Sequence, residues 1–403
     1  MRILTNEYYT SLPGSEKKAH GGPGTFAVDF SQYVCKSGHT WIGLLATKKD
    51  FGSDYRKKAS RKHAEYIEIL SNDKTSIEGL RELTSPITPT EYLKDEILYV
   101  SEIMRKLQPD IMFLNGFSAY SWLLYAAAKK CNLPIVFQHA GIMKREVEQY
   151  EELFSEIGRN MCYEMELDAT LGVDVNIFLN EYCEKELAHC YNLDSVPQSI
   201  IIPLPHAGWI FDPIKKVPSG SNITIGVVAR WDRIKNHPAI LALAEEINKQ
   251  SLPWKIEVVT TIPKTNKFKE MKSRYRELIE VVPPMGRTEL REFYSKIDIA
   301  LLPSNFDAAG AVVMEALATG IPTLISPSVG WVSEYDENNM NEWIVSFDNP
   351  SDVVTRIQNQ LRRDSWPEVS SLSNYIKTIH APDNVYNAYL NVFEKTFSSN
   401  ISK

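Results

Sequence analysis

Short apolar runs alternate with amphipathic stretches along most of the chain, and this alternation predicts the fold class. Arg2 to Thr5 reads as a first strand, and the turn-forming stretch Asn6 to Gly24 follows it. A helix over about Thr25 to Lys36 comes next, closed by Gly38, and then a strand over about Thr40 to Ala46. Later strands are Pro109 to Leu114, Pro134 to Phe137, Asp174 to Leu179 and Ile200 to Ile202. Helices are predicted over Glu91 to Lys106, Trp122 to Cys131, Glu146 to about Glu166 and Asn180 to about Cys190. The breaker-rich Pro203-Leu204-Pro205-His206-Ala207-Gly208 then marks a domain boundary.

The second half repeats the pattern. Strands are predicted at Asn222 to Ala229, Lys255 to Thr260, Val281-Val282, Ile297 to Leu302 and Thr323 to Ile325, with a strand-like Trp343-Ile344-Val345. Helices are predicted from Pro238 to about Lys249, before Leu278, at Thr288 to Ser295, up to about Ala318 and at Ser351 to Arg362. The tail, Asn384 to Phe397, is amphipathic through Val385, Tyr389, Val392 and Phe393. Strands alternating with helices predict an α/β protein with parallel sheets.

Composition narrows the class. At 403 residues the chain is long for one core, so two domains are expected. The net charge of −7 argues against a general nucleic-acid binder. No apolar run reaches the roughly 18 residues of a membrane span, and the amino terminus lacks a signal-peptide core. The five cysteines form no Cys-x-x-Cys pair and read as reduced thiols, which suits the cytoplasm. No four-ligand set for zinc gathers around His189 and Cys190. Arg56, Lys57, Lys58, Arg61, Lys62 and His63 read as a solvated helix face. An acceptor-facing or membrane-surface patch is the second reading.

The candidate chemistry sits at strand ends. Pro303 to Pro322 follows a buried strand and is predicted to be a tight loop and a helix start, the helix running to about Ala318 and stopped by Gly320, with Gly310 letting the backbone approach a ligand closely. Free N–H groups at such a start form an anion site. Glu315 lies among Ala311, Val312, Val313, Met314, Ala316 and Leu317, where a carboxylate needs hydrogen-bond donors such as ligand hydroxyls. Equally, Glu315 could occupy the one wet face, and Asp307 could be a helix N-cap. Arg230 and Lys235 stand between a strand and a helix and suit a diphosphate, with surface solvation as the bland reading. His139 ends a strand and precedes Gly141 by two residues, which favours a ligand over a structural role. Asn115 and Gly116 are weaker candidates from a neighbouring strand end.

The acid pair Asp307-x7-Glu315 resembles the signature of the family-four retaining glycosyltransferases of the GT-B fold. The Gly21-Gly22 pair, Ser37-Gly38-His39, His139 and Arg230-x4-Lys235 resemble the family at matching element ends. The resemblance implies two Rossmann-like domains with parallel sheets facing a central cleft. Residues 1–202, completed by a C-terminal helix 384–403, would be the acceptor-side domain; residues 203–383 would bind the nucleotide sugar. It implies that Asp307 contacts donor-sugar hydroxyls, Glu315 holds the ribose, and His139 touches the transferred sugar. Arg230, Lys235 and the helix start, Ala309, Gly310 and Ala311, would face the diphosphate. Gly22 would approach the phosphates, and Arg287 and the segment after Val259 the base. The family's first acid is usually Glu, the residue after its Lys is usually Gly where Asn236 stands, and its Pro-Asn-Gly hinge is missing here.

The implied activity is transfer of a sugar, hexosyltransferase-like and with retention, from a UDP- or GDP-type donor to a hydroxyl acceptor. The acceptor is open between saccharide, lipid-linked and protein, in polysaccharide, glycolipid or glycoconjugate synthesis. No Asp-x-Asp pair for a metal appears, so metal independence is expected, with no cofactor beyond the donor substrate. Domain closure would exclude water during the reaction. The expected location is cytoplasmic, with peripheral contact at the inner face of the membrane as an addition. A sugar-nucleotide epimerase on the same fold and a non-catalytic sugar-nucleotide-binding scaffold are the rival readings.

Overall fold

The computed structural model describes residues 1–13, 22–206, 222–362 and 366–401. They divide into two compact units, one from Met1–Pro203 with Val385 onward, the other Leu204–Asn384.

The first unit is built on eight strands: β1 (Arg2–Asn6), β2 (Thr40–Thr47), β3 (Tyr55–Arg61), β4 (Ala64–Leu70), β5 (Ile111–Asn115), β6 (Ile135–His139), β7 (Val175–Phe178) and β8 (Ser199–Ile201). Their order is β3-β4-β2-β1-β5-β6-β7-β8. Every pairing is parallel except β3 with β4. β5 and β6 are buried throughout, which is why Ile111 to Leu114 and Ile135 to Phe137 appear in the sequence as continuous apolar runs.

Successive residues of this sheet serve two cores. Leu4, Ile42, Met112 and Leu114 face one side, under the helices Lys94–Leu107, Ala119–Lys130 and Glu156–Gly172. Ile3, Trp41, Phe113 and Val136 face the other, with Phe26 and Phe30 of the helix Gly22–Lys36. The C-terminal helix Pro382–Ile401 lays Val385, Tyr386, Tyr389, Leu390 and Phe393 into this second core. Phe393 meets Phe113 with ring centroids 5.1 Å apart. Each large side chain buried in this way contributes roughly 1.5–3 kcal/mol.

The second unit carries five strands: β9 (Ile223–Val228), β10 (Trp254–Val259), β11 (Glu280–Val282), β12 (Ile299–Leu302) and β13 (Thr323–Ile325). All are parallel, in the order β11-β10-β9-β12-β13. Sequence order reverses between β9 and β12 here, and between β1 and β5 in the first sheet. Open α/β sheets hold ligands beyond the carboxyl ends of strands at such a reversal.

Several expectations need correction. The basic cluster at 56–63 is a hairpin, β3 with β4, and not a helix. Its charges answer acids on β4: Arg56 Nε donates to Glu68 Oε2 at 2.9 Å, Lys58 lies 3.3 Å from Glu68, and Lys57 lies 2.8 Å from Glu65. The helical stretch predicted from Glu146 breaks into Met143–Glu148, a turn at Glu151–Leu153 and Glu156–Gly172, because Ser155 caps the last piece through Gly158 N–H. The stretch from Glu91 divides into Pro89–Tyr92, opened by a Thr88–Glu91 capping box, and Lys94–Leu107. Trp343 ends a short 3-10 turn, and only Ile344 bridges to β13. The helix Trp366–Ile379 was not foreseen.

Candidate functional site

Three loops meet beyond β9, β12 and β13. The loop after β9 begins at Arg230 and turns through a 3-10 segment, Arg233–Lys235, capped by Asp232, which accepts from Ile234 N–H at 3.2 Å. Asn236 then adopts a left-handed conformation, φ 54°, before the helix His237–Lys249. Asn is one of the few residues other than glycine that tolerates this region. The unusual residue therefore still allows the turn.

The loop after β12 docks on that turn. Asn305 N–H donates to Ile234 O at 2.8 Å, and Asn305 Nδ2 to Arg233 O at 3.2 Å. Two residues on, Asp307 gathers the site. Its Oδ2 lies 2.5 Å from Lys235 Nζ, and its Oδ1 accepts from Gly310 N–H at 2.8 Å and Ala309 N–H at 3.3 Å. Burial opposes ionisation of Asp307, but the Lys235 charge and these N–H bonds prevail and hold its pKa below the usual value. Its backbone reaches the loop after β13: Asp307 N–H donates to Ser328 O at 3.0 Å, and Gly330 N–H to Asp307 O at 2.8 Å.

Gly310 is required where it stands. Its φ is 52°, and a Cβ there would lie 2.8 Å from Trp331 Cδ1. Gly310, not Asp307, is the N-cap of the helix Ala311–Ala318, so the bland reading of Asp307 as a cap fails; it braces the loop just before. Among the described residues no side chain caps this helix, and no acid lies in its first turn. Its positive end is therefore open to an anion.

Glu315 lies one turn along, on the less buried side it shares with Ala311 and Val312. Tyr294, a buried residue that the sequence reading passed over, donates its hydroxyl to Glu315 Oε2 at 3.0 Å. Arg230 is more exposed, its guanidinium 3.3 Å from Asp232. Arg287 opens the helix Arg287–Lys296, and its side chain lies outside the described residues. After β10, buried Lys272 donates to Pro263 O at 2.8 Å and Thr265 O at 2.6 Å, fixing the loop there.

The first unit has its own strand-end cluster. Gly22 opens the helix Gly22–Lys36, earlier than expected; Gly21 lies outside the described residues. His139 ends β6 fully buried, stacked on Phe178 at 4.3 Å. Asn176 Nδ2 donates to Thr170 O and Pro197 O, so its Oδ1 faces His139 Nε2 at 2.9 Å and must accept. His139 therefore carries its proton on Nε2, and buried Nδ1 is left as an acceptor. Burial, opposed by the Asn176 bond, pushes the pKa down to about 4, so the ring is neutral near pH 7. At the ends of β1 and β5, Asn6 Nδ2 donates to Asn115 O at 2.9 Å and Asn6 Oδ1 accepts from Asn115 N–H at 2.8 Å. Glu7, not singled out from the sequence, is buried beside them and accepts from Trp41 Nε1 at 2.9 Å.

Among the described residues no cluster of three or more His, Cys, Asp or Glu could hold a metal, and no helix is long and apolar enough to cross a membrane.

The family described as glycosyl transferases group 1 matches residues 211–378, which contain the whole three-loop site. That match lies within the second unit, Leu204–Asn384. EpsF of Bacillus subtilis (strain 168) is 28% identical over 112 residues, 28% of this chain and 29% of that protein. A D-inositol 3-phosphate glycosyltransferase of Streptosporangium roseum is 26% identical over 90 residues, 22% of this chain and 20% of that protein. The likeness thus spans less than a third of either relative's length. The solved structure of a sucrose-phosphate synthase from Thermosynechococcus elongatus is 14% identical, with a TM-score of 0.73 over 99% of this chain and 100% of that one. The chain has the GT-B fold.

Proposed function

We propose that the chain is a retaining glycosyltransferase that moves a sugar from a UDP- or GDP-type nucleoside diphosphate sugar to a hydroxyl acceptor. Polysaccharide, glycolipid and glycoconjugate synthesis are the settings that suit it. One observation carries the reading: within a group 1 domain, Lys235, the Asp307 loop and the uncapped start of Ala311–Ala318 meet at the strand-order reversal.

The chemistry follows from charge. Departure of the diphosphate develops negative charge, and preorganised donors that meet it lower the barrier. Lys235 would share its ammonium between Asp307 and the diphosphate. Arg230, exposed on the same loop, would add a two-pronged contact. Glu315, oriented by Tyr294, would accept from the ribose hydroxyls. Asp307 would orient the donor sugar with lone pairs left beside its present partners. These cations do the work that a metal does elsewhere. The leaving phosphate would take the acceptor proton on the face it vacates, which gives retention.

A panel of UDP- and GDP-sugars tests the reading, with slow hydrolysis followed by NMR. The expected result is one favoured donor, released with its anomeric configuration kept. Hydrolysis of none, or products that keep the nucleotide, would overturn it.

A further inference from the structure

The chain passes between its two units twice, at Pro203–Leu204 and at Asn384–Val385. On the second-unit side these two passages are tied together. His206 N–H donates to His380 O at 2.8 Å, and His380 Nδ1 lies 2.7 Å from Leu204 O. A carbonyl only accepts, so Nδ1 carries the proton and its tautomer is fixed.

The same imidazole leads to the site. His380 and Trp331 stack with centroids 5.4 Å apart and planes 19° from parallel, and both residues are buried. Trp331 Nε1, which can only donate, is 2.9 Å from Ala309 O. The indole sits where a Cβ of residue 310 would be. Ala309 and Gly310 N–H in turn hold Asp307, and Asp307 holds Lys235.

We infer that Trp331 and His380 form a relay fixing the Ala309–Gly310 loop to the two inter-unit passages. Both are positioning residues for anion binding at that loop, and this last part rests on the donor reading above. The Trp331–Ala309 link is one hydrogen bond, and the Trp331–His380 link is one ring stack. Trp331→Phe keeps the stack and loses the N–H. His380→Gln can still donate to Leu204 but cannot stack. The relay has its own consequence: disturbance at either end is felt at the other. Without it, Trp331 is a core residue whose loss is felt only around residues 309–314.

Hydrogen exchange on the full unliganded chain tests the relay, and calorimetry with UDP and GDP tests its use. Trp331→Phe is expected to speed exchange at the peptide carrying His206 as well as at the one carrying Gly310. His380→Gln is expected to do the same from the other end. Each variant should bind its preferred diphosphate about tenfold more weakly, the effect of one lost contact. The double variant should bind no more weakly than the worse single one, because the two act in series. Exchange confined to each variant's own neighbourhood, or additive affinity losses, would overturn the relay. If Trp331→Phe does not fold, His380→Gln alone decides by its effect at Gly310. If the parent binds neither diphosphate, the donor reading falls, and the exchange measurement still decides the relay.

Discussion

Lys235 Nζ lies 2.5 Å from Asp307 Oδ2, joining loops 72 residues apart in sequence. Both side chains are more than four-fifths shielded from solvent. The expected cation of the site is therefore already paired with the expected acid. The pair holds the ammonium in place.

Removing one partner leaves the other stranded. Lys235→Ala should lower turnover by orders of magnitude and cost about 1–3 kcal/mol of stability, the usual range for an unsatisfied buried group. Asp307 has a depressed pKa, so its contribution is present above the ordinary Asp value and lost as pH falls through the folded value. In Lys235→Ala burial is no longer opposed by the ammonium. Acid unfolding curves should then show the parent losing this stability below about pH 4, and the variant having none of it to lose.

The two acids should separate by ligand. Glu315→Gln removes a carboxylate that makes charge-assisted bonds, each worth roughly 1.5–3 kcal/mol, so the free nucleoside diphosphate should bind more weakly. Tyr294→Phe should reproduce part of that loss by freeing Glu315. Asp307→Asn keeps an oxygen for Ala309 and Gly310 N–H, so its loss of diphosphate affinity should be smaller, with transfer the larger casualty. Calorimetry with the diphosphate alone ranks the three. A loss in Asp307→Asn equal to that in Glu315→Gln would contradict the division of roles.

Activity should survive excess EDTA, since side chains and a helix start are assigned the diphosphate. Complete loss, restored by magnesium or manganese, would contradict that assignment.

Two buried groups of the first unit should oppose each other in pH. Glu166 accepts from Met143 N–H at 2.6 Å, Lys144 N–H at 3.0 Å and Tyr191 Oη at 2.6 Å. Burial nevertheless pushes its pKa up to about 7, so it costs stability as pH rises from about 4.5 to about 7. His139, pushed down to about 4, costs stability as pH falls from about 6.5 to about 4. The slopes cancel where they overlap. Glu166→Gln should therefore lose stability on acidification relative to the parent, and His139→Gln on alkalinisation. Each slope is at most about 1.4 kcal/mol per pH unit. Urea unfolding at pH 5, 6 and 7 measures both.

The α/β class and the loops after β9 and β12 were legible because buried parallel strands write continuous apolar runs. Ile299–Leu302 and, within β6, Ile135 to Phe137 are examples. β3 was not legible. It is an edge strand with Arg56, Lys57, Lys58 and Ser60 exposed, so it shows no alternation, and its turn uses His63 at φ 61° in place of a glycine. The gathering of the site was equally hidden. Nothing local to Lys235 names Asp307, and Tyr294 looks like any core aromatic until its hydroxyl is seen on Glu315. His380 shows the same limit, since its partners lie 176 residues back and across a ring stack.

An edge strand offers a row of unpaired backbone groups to any other strand. β3 closes one side of the larger sheet in this way. A second chain extending the sheet there would have to strip water from Arg56, Lys57 and Lys58 and place them against its own side chains. The hairpin's basic residues thus do two things at once. They neutralise Glu65 and Glu68 within the fold, and their charge disfavours edge-to-edge pairing of a second strand with β3.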